Sequence, residues 1–305
     1  MRKDDNFIML PTVDFCFAGL MENARVRKGF LAAVMRVSPE KIKETVLLPT
    51  ILRRESGDGK LGILDVRVVM EDGTQVDIEM QVAYFEHWDK RVLFYLSRIY
   101  AGQLRKGEPY DKLKKCIHVS ILDFVYFPHD TECCRTIHFR DDKTGEIYTD
   151  LMEIQILELK KLPKEVKNSE DVLVWMKFFS GKTKKEFEDM AKTNEYIGEA
   201  YNALLELSAD EKRRLEYEAR EKALKDYNSQ MESAFKRGEE QGERRGEERG
   251  EKRGEIRGIE KTREVFRLHG QGKQPEEIAG LCGMTENEVE WVLFGDRQNT
   301  RRTGL

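Results

Sequence analysis

The chain lacks any run of eighteen apolar residues, and no basic stretch leads into an apolar one. A membrane span and a secretory signal peptide are therefore not expected. Its five cysteines, Cys16, Cys116, Cys133, Cys134 and Cys282, are irregularly spaced and odd in number, which argues against a disulfide framework and for a reducing, cytoplasmic compartment. His129, Cys133, Cys134 and His138 superficially resemble a zinc set, but no Cys-x2-Cys pair is present, and adjacent cysteines on a strand would point to opposite faces. His87 and His118 read as structural. The formal net charge of −4 does not announce a nucleic-acid binder, although Lys90-Arg91, Lys112 to Lys115 and Lys182 to Lys185 are local basic runs able to track phosphates.

Two alternating segments stand out. Ile63 to Met70 and Gln75 to Val82 are joined through Glu71-Asp72-Gly73-Thr74, whose Asp-Gly is a strong hairpin signal. Leu64, Val66, Val68 and Met70 share one parity, leaving Asp65 and Arg67 on the other face; Val76, Ile78, Met80 and Val82 likewise alternate with Asp77, Glu79 and Gln81. The polar residues share a face only if paired positions sum to an even number, which requires an odd-length loop or a bulge such as one at Gly73. Carboxylates converging across two strands repel one another and are stable together when a hard cation neutralises them. Mg²⁺ takes one or two such carboxylates plus water and substrate phosphate, the arrangement for phosphodiester hydrolysis. Alternation alone also fits a solvated face of an antiparallel sheet.

Leu64-Asp65-Val66-Arg67, Asp72-Gly73 and Ile78-Glu79-Met80-Gln81, followed by Arg91, Tyr95, Tyr100, Gly107, Tyr110, the strand Cys116 to Leu122 and the segment Leu151 to Leu162, resemble the PD-(D/E)XK nuclease family transposases, the Rpn group of recombination-promoting nucleases. The similarity spans roughly residues 10 to 165 and implies a restriction-endonuclease-like α/β fold, a mixed sheet flanked by helices. It further implies an Mg²⁺-dependent DNA endonuclease of low sequence specificity, with Mn²⁺ as a possible substitute. By the same resemblance Asp65 and Glu79 are metal ligands, and Gln81 stands where that superfamily usually has a lysine. Gln can orient water but cannot neutralise charge. Asp77, Arg67 and Glu22 are candidate supporting residues, Arg67 as the partner of a carboxylate. A non-catalytic oligomeric DNA-binding or regulatory protein retaining this fold is the rival from another class.

Asp14 to Val37 is helical by its apolar spacing, with Asp14 a candidate N-cap and Glu22 a surface position. After the nuclease core of residues 1–165, a helical region is expected over 166–235, with Val172 to Phe179 and Ala200 to Leu207 as its apolar patches. Asp210-Glu211 opens a long helix whose Leu215, Ala219, Ala223, Tyr227, Met231 and Phe235 recur every fourth residue. Gly238, Gly242, Gly246, Gly250, Gly254 and Gly258 continue the step over 236–260. A four-residue step drifts about 40° each time, so the glycines wrap around the helix rather than forming a heptad seam. Each costs about 1 kcal/mol against Ala, so the tract is either a flexible polyampholyte or a stalk joining copies of the chain into a homo-oligomer. With eight basic and seven acidic residues from Lys236 to Arg257 it is no basic arm. Over 261–305, a short helix from Thr262 to His269 precedes a helix-turn-helix-like pair with Gly283 at the turn and Thr285 as N-cap. The would-be recognition helix carries Glu286, Glu288 and Glu290 and no Lys or Arg, so phosphates would be repelled.

Overall fold

Asn23 divides what its apolar spacing predicts as one helix. In the computed structural model, which describes residues 6–52, 62–166 and 171–295, the segment forms α1 (Asp14–Glu22) and α2 (Ala24–Met35). The Asn23 backbone is extended, and its side chain accepts from the backbone N–H groups of Arg25 and Val26, so Asn23 caps α2. Asp14 is not an N-cap: Val13 occupies that position, and the Asp14 carboxylate accepts from the N–H of Phe15.

Next come the strands β1 (Thr45–Leu48), β2 (Ile51–Leu52), β3 (Gly62–Ile63), β4 (Val66–Met70) and β5 (Gln75–Gln81). Helix α3 (Trp88–Ala101) follows, then β6 (Cys116–Leu122), β7 (Cys134–Arg140) and β8 (Ile147–Glu158). Six strands form a mixed sheet in the order β1-β4-β5-β6-β8-β7, while β2 and β3 make a separate ribbon, so Ile63 is not part of the β4 arm. The pairs β5·β6 and β6·β8 are parallel and the outer pairs antiparallel. Parallel neighbours need a crossover, and α3 provides it between β5 and β6.

The sheet is covered on both faces. On one, Val66, Val68, Val76, Ile78, Met80, Ile117, Val119, Ile121 and Leu157 meet Phe17, Phe30, Trp175, Phe178 and Phe179 of the helices. Phe30 stands edge-on to both Trp175 and Phe179, at 5.6 and 5.3 Å between ring centres. On the other, α3 buries Trp88, Val92, Tyr95, Leu96 and Ile99 against Cys116, Leu122 and Ile156. Helix α4 (Asp171–Ser180), α5 (Lys184–Ala191) and α6 (Glu195–Ala209) all contribute to the first core, so a boundary at residue 165 cuts through one continuous interior. The compact unit runs to Asp226 and takes in Tyr217, whose hydroxyl accepts the N–H of Leu10 at 3.1 Å.

Helix α7 spans Glu211–Gly270 without a break at Thr262, and the repeat glycines lie within it with open space around them. The second unit, Tyr227–Leu305, gathers Val265, Leu268, Ile278, Ala279 and Val289 into a small core with α8 (Pro275–Cys282) and α9 (Glu286–Phe294). Gly283 closes α8 in the left-handed region at φ 58°, and Thr285 with Glu288 forms a capping box on α9. Among the described residues no helix is long and apolar enough to cross a membrane.

Arg27 is a buried cation that does structural work. Its guanidinium donates to the carbonyls of Met21 at 2.6 Å and Glu22 at 3.3 Å, ending α1, and to the carbonyl and hydroxyl of Thr45 at 3.0 Å each, anchoring β1. Arg27→Met would keep the stem and strand those acceptors, so we expect a loss of about 2–3 kcal/mol in denaturant unfolding. An unchanged midpoint would contradict this role.

Candidate active site

Between β4 and β5, Met70 and Thr74 close a turn around three residues, Glu71, Asp72 and Gly73. Gly73 sits at φ 89° and donates to the Met70 carbonyl at 2.9 Å, while the Met70 N–H reaches the Thr74 carbonyl at 2.8 Å. This is a turn closed by a left-handed glycine, a conformation an L side chain resists. Asp72 locks it by accepting from the N–H and hydroxyl of Thr74 at 2.8 and 3.0 Å. The odd loop sets Arg67 opposite Asp77 and Val66 opposite Ile78. The pairing ends at Val66, and Asp65 lies just ahead of β4, close enough to Glu79 for that carboxylate's charge to act on it.

The polar face lies beneath α3. Asp77 and Glu79 are fully buried, and Asp65 and Gln81 are half-buried at the strand ends. Asp65 accepts the Met80 N–H at 2.9 Å, and it takes part in none of the ion pairs formed among the described residues. Glu79 is held by Arg91 of α3, whose Nη2 and Nε lie 3.2 and 3.4 Å from its two oxygens. The Arg91 guanidinium stacks over Tyr95 at 4.7 Å and Trp88 at 5.7 Å. Gln81 sits at the end of β5, its carbonyl accepting the N–H of Asp123 at 2.8 Å.

The remaining candidates separate. Asp77 is bound to Nδ1 of the buried His118 at 2.7 Å, and the His118 Nε2 meets the Ser120 hydroxyl at 2.9 Å. Arg67 donates to the amide oxygen of Gln75 at 2.7 Å instead of pairing directly with a carboxylate, though the charge of Asp77 acts on it. Glu22 is exposed and pairs with Arg213 at 3.3 Å. The α1 acid whose charge acts on Asp65 is Asp14, itself paired with Arg220 at 2.6 Å.

Burial, then the charge of Glu79, pushes the Asp65 carboxyl up to about 7, against the opposing Met80 N–H. Burial and Asp77 raise Glu79 as well, while His118 and Arg91 restrain the rise. Burial works against protonated His118, but the Asp77 and Glu79 charges outweigh it and raise its affinity for a proton. Acids therefore crowd the site, and Arg91 is the ion-pair partner of Glu79.

No group of three or more His, Cys, Asp or Glu able to hold a metal occurs among the described residues. A cation at Asp65 and Glu79 would complete its shell with water or phosphate, which suits Mg²⁺. The cysteine stretch offers no such set: His138 is bound to Glu153 at 3.1 Å. Cys133 precedes β7, so Cys133 and Cys134 both pack toward the main core with sulfurs 3.8 Å apart, not on opposite faces.

In the sequence Arg91 stands in a basic run able to track phosphates and among the residues that carry the family resemblance, and His118 reads as structural, so neither is singled out for the acid cluster. A signal for both exists in hindsight: Arg91 lies one helical turn before Tyr95, and His118 and Ser120 share the parity that meets Asp77 and Glu79 in the parallel register.

A family model described as PD-(D/E)XK nuclease family transposase matches residues 11–234. No curated protein and no solved structure matches the chain.

Because Asp65 holds its proton more tightly folded than unfolded, metal-free stability falls as pH rises from the ordinary carboxylate range through about 7. Asp65→Asn removes this penalty. With chelator at pH 8 the variant should melt about 4 °C above the parent, a gain on the order of 1–2 kcal/mol. At pH 4, where the parent Asp65 is already protonated, the gain should vanish. Equal melting at both pH values would contradict the buried, unbalanced carboxylate.

Proposed function

The chain belongs to the PD-(D/E)XK nuclease family transposases, and from that premise we propose that it is a metal-dependent DNA endonuclease that hydrolyses phosphodiester bonds with little sequence specificity. The observation that supports this is the nearness of Asp65, whose carboxylate accepts the Met80 N–H, to the buried Glu79, close enough for the Glu79 charge to act on it. Their hard oxygen donors suit Mg²⁺, with Mn²⁺ as a substitute. When bound, the ion would polarise a phosphodiester and lower the pKa of attacking water. The chain's own residues do the rest. Asp65 and Glu79 supply the anionic ligands, and the Gln81 amide orients water at the open end of β5. Asp77, tied to His118, fixes the strand pair from beneath. Recombination, mobility or defence of DNA is the setting that the family suggests.

Supercoiled plasmid nicking by the purified chain is the test. Asp65→Ala and Glu79→Ala should abolish it while the protein stays folded, since each removes a ligand rather than core volume. Gln81→Ala should cost less, about tenfold, because solvent can partly replace its orienting role. Chelator should stop cleavage, Mg²⁺ or Mn²⁺ restore it, and Zn²⁺ be dispensable for folding. Undiminished cleavage by folded Asp65→Ala protein would overturn the assignment and favour a non-catalytic DNA-binding role.

We assign the tail to self-association. Along the part of α7 in the second unit, Tyr227, Met231, Phe235, Ile256 and Ile259 are exposed and lie outside that unit's small core. A truncation must begin after Asp226, because cutting at Asp210 would remove the buried Tyr217. Light scattering should find an oligomer for the full chain at micromolar concentration and a monomer for residues 1–226. A full-length monomer would favour the flexible-polyampholyte alternative.

A further inference from the structure

The acid pair poses a charge problem that β4 and β5 do not solve. Gln81 is neutral, and Arg67 is engaged with Gln75. A phosphodiester brings further negative charge to Asp65, Asp77 and Glu79, and its hydrolysis develops more on the phosphoryl oxygens. The cation in contact with this cluster is Arg91, reaching in from α3. Its Nε and Nη2 face Glu79, and its side chain is 32% exposed, so the guanidinium is reachable by a polyanion. The guanidinium lies over the rings of Tyr95 and Trp88, which favour its charge near the acids.

Building on the nuclease proposal, we infer that Arg91 has two successive partners. It neutralises Glu79 while the acid pair holds no divalent cation; when a cation takes Glu79, the guanidinium is released to phosphate oxygens of the nucleic acid, supplying the positive charge that Gln81 lacks. Arg91 thus competes with the cation for Glu79 in the free protein and assists it in the complex. A residue serving only to hold α3 on the sheet would not produce these opposite effects.

The full chain is titrated with Mn²⁺ at pH 8 without DNA, following the free-ion signal by electron paramagnetic resonance, and separately assayed for plasmid nicking. Arg91→Met keeps the stem that stacks on Tyr95, and Arg91→Lys keeps the charge. Arg91→Met should bind Mn²⁺ at least about threefold more tightly, yet cleave about 10²-fold more slowly, the scale of losing one preorganised charge contact. Arg91→Lys should recover most of the cleavage, and Gln81→Lys placed in the Arg91→Met background should recover at least about tenfold. Weaker or unchanged Mn²⁺ binding by folded Arg91→Met protein overturns the competition. Cleavage equal to the parent overturns the role toward phosphate and leaves the nuclease standing. A parent chain that binds Mn²⁺ in an Arg91-dependent way but cuts no DNA overturns the nuclease proposal and keeps the exchange at Glu79.

Discussion

The loop Glu71-Asp72-Gly73 determines the site because side chains on a strand alternate with a period of two. A two-residue turn would shift the pairing by one and move every residue of one arm to the opposite face. Val76, Ile78 and Met80 would then leave the core shared with α1, α2 and the later helices, and Glu79 would point into it. With three residues and a left-handed glycine, Val66, Val68, Val76, Ile78 and Met80 face the aromatic cluster, while Glu79 meets Arg91 of α3 and Asp77 meets His118. Burial of the apolar side thus brings the carboxylates near one another, at a site where the charge of Glu79 adds to burial in raising the proton affinity of Asp65, and that of Asp77 adds to burial in raising Glu79.

What surrounds the acids follows from that convergence. Charged groups beneath a helix must be matched, and the chain does so in graded fashion. The deepest acid, Asp77, is matched by His118, itself held by Ser120. Glu79 is matched by Arg91, which remains partly accessible. Asp65, at the strand end, receives a single backbone N–H. Neutralisation therefore weakens from the sheet interior toward the opening, which leaves the outer acids available to a cation and the inner one structural.

Much of this was legible in the sequence because it depends on local period and turn chemistry. The Asp-Gly turn and the two alternating arms defined the hairpin and the need for an odd loop, and Thr285 and Gly283 marked the ends of the terminal helices. Less was legible where long-range packing decides. Apolar spacing runs through Asn23, so the break there shows only in its cap on α2. The region 166–235 reads as separate from the nuclease core because nothing local says that Trp175 and Phe179 will pack on Phe17 and Phe30. The sequence shows Arg91 as a basic residue of the family pattern but not its partner, because Glu79 lies on another element, and Glu22 is a candidate where Asp14 is the α1 residue acting on Asp65.

Anomalous diffraction from crystals grown with Mn²⁺ addresses the central claim directly. The account predicts one strong peak within about 2.0–2.2 Å of an oxygen from both Asp65 and Glu79, with the Arg91 guanidinium turned away from Glu79. A peak elsewhere, or none, with Glu79 still gripped by Arg91, would contradict it.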